Sequence, residues 1–207
     1  MVLNQLAGSS LETPLLRLTA IYEGIEIAQK RWMELAPYRC PDGCGKCCAK
    51  FEPDLTDVEA LYLAAWILCN EPSLLGSIQF DSDQKGCVLS DPDRTFHCKV
   101  YGGRPLICRL FAYSGDRTKN GTARYRSCEH MIHPGERILD EAMLRNLFGV
   151  LPPLMSDFAS EADLLMPDSS GKRTQLRVAL PRALSKISLL YQLSAFAQLK
   201  TDNPVSC

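Results

Sequence analysis

The sequence predicts an α+β fold: an irregular, cysteine-rich centre with short strands, flanked by N- and C-terminal helices. Three observations predict it. Nine of the ten cysteines and all three histidines fall between Tyr38 and Pro134. Apolar residues recur at helical spacing on both sides of that stretch. No series of alternating strands and helices occurs, which argues against a Rossmann-like or barrel architecture. The chain therefore divides into an N-terminal helix packing on the core (1–37), a cysteine-cluster region (38–135) and a C-terminal helical region (136–207).

The first helix is expected over 13–36. Thr13 suits the cap and Pro14 the first helical position. Leu15, Leu18, Tyr22, Ile25 and Trp32 recur at near-helical spacing, and Pro37 ends the run. Thr56-Asp-Val-Glu59 is a capping box that opens a second helix, reaching about Asn70 before Pro72 stops it. Short strands are expected at 86–90, at 95–101 and, after the Asn120-Gly121 turn, at 123–127. Further helices are expected over 136–148 and 157–165, and a long one over 173–199, bent or broken at Pro181.

Composition narrows the function classes. The 207 residues are 46% hydrophobic, enough for a core that does not depend on disulfides. A net charge of -1 argues against a general nucleic-acid binder. The opening Met1-Val-Leu-Asn-Gln-Leu6 lacks the charged and apolar regions of a signal peptide, and no stretch approaches a membrane span. A soluble, cytoplasmic chain is expected. In that compartment thiols stay reduced, so dense cysteines point to metal rather than to disulfides.

Cys40, Cys44, Cys47 and Cys48 stand within nine residues, and Cys87, Cys98, Cys108 and Cys128 follow. Two intervening residues in a tight turn let flanking thiolates converge, as at Cys44-Gly-Lys-Cys47, with Gly45 and Gly43 able to take positive φ. Cys47 and Cys48 point apart if extended, and so suit different centres or different faces of one. Cys69 falls on an apolar helical face with Leu61, Ala65 and Leu68 and reads as core packing. Cys207 ends the tail; both are set aside. The Cys40-x-x-x-Cys44-x-x-Cys47 spacing is also that of radical S-adenosylmethionine enzymes. Against that stand the missing βα units, Lys46 where an aromatic is usual, and enough thiols to saturate every iron.

The pattern Cys98-x-x-Tyr101-x-x-Arg104-Pro105-x-x-Cys108-Arg109, after the dense four-cysteine opening, resembles the YkgJ-type cysteine-cluster family. That resemblance covers Cys40 to Cys128, somewhat under half the chain. It implies a zinc- or iron-chelating domain, and a flagellin lysine methylase is similar through the same cluster. The metal ligands expected are Cys40, Cys44, Cys47, Cys48, Cys87, Cys98, Cys108 and Cys128. Zn2+ and a 4Fe–4S cluster both accept four thiolates, and the dispersed ligands lean toward the cluster. One metal centre or two would use eight thiols equally well.

Arg104 and Arg109 bracket Cys108 on a short helix begun by Pro105. They are candidate cofactor-binding residues, offsetting thiolate charge or holding an anion, with surface ion pairing as the plain alternative. His97, His130 and His133 neighbour the cysteines as ligands or polar neighbours. Arg117, Lys119, Arg124 and Arg126 form a basic hairpin, most simply a solvated face, with Tyr125 interleaved. The function expected is metal binding for structure or redox. The alternatives are a protein-modifying, S-adenosylmethionine-dependent lysine methylase by family analogy, and an interaction module whose protein partner binds the C-terminal helices.

Overall fold

The computed structural model describes residues 6–202 except 82, 84, 95 and 134, with side chains described to 195. Cys207 and the first five residues of the opening segment lie outside the described residues. Seven α-helices and five short strands, arranged in two small antiparallel sheets, make an α+β fold among the described residues. No helix among them is long and apolar enough to cross a membrane.

Helix α1 (Glu12–Leu35) buries Leu15, Leu18, Ile21, Tyr22, Ile25 and Trp32 along one stripe. Its cap is Leu11 rather than Thr13, so Pro14 sits third. That position is still in the first turn, where a missing N–H forfeits no intrahelical bond. Ala36 leaves the helix in extended conformation, as a residue before proline must. A five-residue helix, α2 (Lys46–Lys50), and strand β1 (Asp54–Leu55) precede α3 (Asp57–Asn70). The capping box at the start of α3 forms as the sequence requires, with Glu59 N bound to Thr56 Oγ1 and Thr56 N bound to Glu59 Oε2.

The strands expected at 86–90 and 95–101 do not form; a single bridge, Ser90 to Cys98, is all that pairs there among the described residues. Tight turns consume the backbone hydrogen bonds instead, including Ser90 N to Cys87 O and His97 N to Arg94 O. Helix α4 (Leu106–Leu110) follows Pro105. Strands β2 (Gly115–Arg117) and β3 (Ala123–Arg126) make the expected hairpin, with Gly121 at φ +80°. Strand β4 (Ile138–Asp140) adds to β3 where the sequence suggested helix. The helix start moves to α5 (Glu141–Phe148), because Asp140 caps it by accepting from Met143 N. Helix α6 is Met155–Asp163. Strand β5 (Thr174–Gln175) pairs with β1, and α7 (Leu176–Asp202) runs on through Pro181 without a break.

Two apolar cores result. The larger joins Leu15 and Leu18 of α1, Leu63 and Ile67 of α3, and Leu180 and Ile187 of α7, all fully buried. Each such side chain contributes about 1.5–3 kcal/mol relative to exposure. The smaller joins Trp32, Ala36 and Tyr38 to Tyr125, Met131, Leu139 and Leu144. Cys48, Cys87 and Cys98 pack against the larger core and Cys128 against the smaller. The cysteine loops thus touch both cores.

Candidate metal centre

Four separate stretches of chain deliver thiols to one cavity of about 400 Å3: the 40–48 loop and α2, the 87 turn, the 98 turn and α4. Cys40, Cys44, Cys47, Cys48, Cys87, Cys98 and Cys108 line it. Cys128 does not, although its charge is among those acting on Cys40. Local backbone explains the convergence. Cys87 N donates to Cys48 O at 2.9 Å, fixing the 87 turn to the end of α2. Gly86, at φ +82°, makes this approach feasible: a Cβ there would stand 2.5 Å from Ala49 O and 2.6 Å from Cys48 O.

Gly43 takes positive φ as expected, at +65°, but Gly45 does not, at φ -98°. Gly45 is small for another reason, since a Cβ would overlap the His97 side chain. His97 itself is held at φ 50°, an uncommon conformation for a residue with a side chain. None of the three histidines lines the cavity. His130 Nε2 faces Glu129 at 3.2 Å, and His133 Nδ1 meets Gly135 O at 2.7 Å while its ring stacks on Tyr38.

Arg104 and Arg109 have distinct surroundings. Arg104 lies over the Tyr101 ring, 3.5 Å from its centroid, and its charge favours the thiolates of Cys47, Cys98 and Cys108. Arg109 is buried, and its guanidinium donates to Glu26 and to the carbonyls of Arg104 and Gly102 while covering the Tyr22 ring. It braces α4 against α1. Two other charged side chains brace the site, and no sequence motif marks them for that role. Glu59, 1% exposed, accepts from Leu106 N at 2.8 Å and so seats the first turn of α4. Glu52 takes both Arg177 N and Nε, joining the exit of α2 to α7.

Without metal, Cys40, Cys87, Cys98 and Cys108 favour the protonated form. Burial, then the charge of Cys44, push Cys40 up to about 11, and burial pushes Cys87 up to about 12 and Cys98 and Cys108 upward. Cys47 is the exception, drawn down to about 6 by the thiol of Cys48, whose sulfur lies 3.9 Å away. Cys48 is pushed up in return. A soft metal reverses this balance by stabilising thiolates directly, releasing protons as it binds.

The donor set, seven thiols on one cavity, fits a soft metal. Sulfurs around a tetrahedral zinc, at about 2.3 Å from the ion, stand about 3.8 Å apart. Among the described residues no three His, Cys, Asp or Glu side chains are grouped closely enough to hold a metal ion.

Elsewhere two readings change. Cys69 is exposed, not core, with its sulfur 3.5 Å from the Tyr191 hydroxyl, because its position on α3 faces the edge of α7. Tyr125 is fully buried, donating to Ala112 O, so it offers no stacking face to a nucleic acid. Arg117 and Arg124 of the basic hairpin pair with Asp157 and Asp116 at the surface.

Residues 39–129 match the CxxCxxCC family, described as "Putative zinc- or iron-chelating domain". The match spans just under half the chain and contains all eight of the clustered cysteines. No similar curated protein and no similar solved structure was found.

Proposed function

We propose that the cavity is the seat of an iron–sulfur cluster held by cysteine thiolates, with a structural or redox role. The observation that carries this reading is the convergence of seven thiols, from four separate stretches of chain, on one cavity of about 400 Å3. The family match to a zinc- or iron-chelating domain supports metal of one kind or the other. When bound, the cluster supplies reversible one-electron chemistry or a rigid cross-link. The chain's own residues then hold it and tune it. Arg104 is the tuning group: its positive charge faces Cys47, Cys98 and Cys108 and offsets part of the thiolate charge, which raises a cluster's potential. Arg109 acts by holding α4, and through it Cys108, against α1.

The test is spectroscopic. Protein purified without oxygen is expected to be brown, with a broad visible absorption that bleaches on reduction by dithionite. Colourless protein carrying stoichiometric zinc would replace the cluster with a zinc centre. Arg104→Ala is expected to keep the absorption and lower the reduction potential.

A further inference from the structure

We propose that the mouth of the thiol cavity is the docking site of an acidic protein that carries single electrons. The inference rests on the redox form of the reading above, and it names the partner and the surface that receives it. Phe51, Phe96, Tyr101 and Phe111 are the exposed aromatic side chains among the described residues, and all four line this one cavity. Rings of this size are ordinarily taken into a core. Gathered at a surface with an arginine, they have the composition of an interface centre. They are also ordered. The Phe96 ring stacks on Tyr101 with centroids 4.1 Å apart, and the Arg104 guanidinium lies 3.5 Å from the centroid of the same ring, so the two cover opposite faces of Tyr101. Arg104 Nε donates to Tyr101 O at 2.8 Å and ties the stack to its own turn. Side chains already fixed lose little freedom when a partner covers them.

Charge selects an acidic partner. Lys46 and Lys50 are exposed at the two ends of α2, and neither they nor Arg104 form an ion pair among the described residues. Asp42 is the one carboxylate that lines the cavity. The rim is therefore net positive, and a negative surface is steered toward it. Position selects an electron carrier. Lys46 and Lys50 bracket Cys47 and Cys48, Phe96 stands two residues before Cys98, and Phe111 three after Cys108. On the other side Cys48, Cys87 and Cys98 belong to the larger core or pack against it. A protein seated on the rings thus comes within one layer of side chains of the thiols, and a patch of four rings suits the small interfaces of transient electron-transfer pairs. The transfer oxidises the carrier and reduces the centre by one electron, with no bond made or broken.

The probe is flavodoxin, an acidic flavin protein, added to the anaerobically purified full chain. Oxidised flavodoxin is expected to bind at low salt by titration calorimetry, and reduced flavodoxin to bleach the visible absorption more slowly as salt is raised. Lys46→Glu with Lys50→Glu, and Phe96→Ala with Phe111→Ala, should each weaken binding and slow that bleaching by about tenfold or more, while reduction by dithionite, which needs no docking, keeps its rate. Flavodoxin rates indifferent both to salt and to these substitutions would overturn the docking and leave the cluster reading standing. Protein that dithionite does not bleach would overturn both. A dimer that Phe96→Ala with Phe111→Ala dissociates in sedimentation, or single-stranded DNA held by the same rings, would give the rim to another occupant and overturn the proposal. Should a variant lose its absorption, binding by the unaltered chain and its salt dependence decide.

Discussion

At the scale of single residues, the centre depends as much on what is missing as on the thiols. Gly45→Ala would drive a methyl group into His97 and separate α2 from the 98 turn. Metal content is expected to fall several-fold, and Gly45→Ala combined with His97→Gly should recover part of it. Gly86→Ala meets backbone oxygens at a positive φ, so it is expected to destabilise by more than about 1 kcal/mol in urea unfolding. Reactivity tests the thiol electrostatics. In metal-free protein Cys47, drawn down to about 6, is thiolate at neutral pH and should be alkylated first by iodoacetamide, whereas Cys40 and Cys87, pushed up to about 11 and about 12, should resist. Peptide mapping after a short pulse at pH 7 checks this, and equal labelling of all three would contradict it. The cysteines are legible in the sequence because four thiols within nine residues seldom serve ordinary core packing. The role of Gly45 is not: its constraint comes from His97, distant in sequence, and no local pattern carries that.

At the scale of elements, helices with strong local signals are legible and pairings are not. The capping box of α3 and the stripe of α1 appear where sequence puts them, because cap chemistry and periodicity are local. Strand β4 reads as helix because only its pairing with β3 distinguishes it, and Asp140 becomes recognisable as a cap only once that pairing sets the true start of α5. Helix α2 escapes sequence reading since five residues are too few for a period to show. Glu59 illustrates the same limit. Its capping role is visible in sequence, but its acceptance of Leu106 N and its contact with Arg173 join elements far apart along the chain. Glu59→Ala orphans buried donors at the starts of both α3 and α4 and is expected to cost about 3 kcal/mol. Arg117→Ala, which loses an exposed ion pair with Asp157, should leave the unfolding midpoint nearly unchanged. Comparable losses in the two variants would refute the structural role given to Glu59.

At the scale of the whole molecule, the larger core unites helices from the beginning, middle and end of the chain, so α3 does not depend on metal for its burial. The cysteine turns share that core chiefly through Cys87, Val88, Leu89 and Val100 and otherwise rest on single bridges and turn hydrogen bonds, so bound metal would add to their hold. Chelation is therefore expected to speed hydrogen exchange in 40–50 and 86–100 by at least tenfold while leaving the centres of α1, α3 and α7 protected. Uniform loss of protection would show that the metal holds the whole fold. The three-region layout read from sequence marks where the cysteines sit, but it does not reveal how the terminal helices share a core with α3. The central claim is that the ring of thiols holds an iron–sulfur cluster, and the most direct measurement is iron and acid-labile sulfide per chain in anaerobically purified protein. Iron and sulfide in equal amounts are expected, both falling in Cys98→Ser; zinc without sulfide, or neither metal nor sulfide, would contradict it.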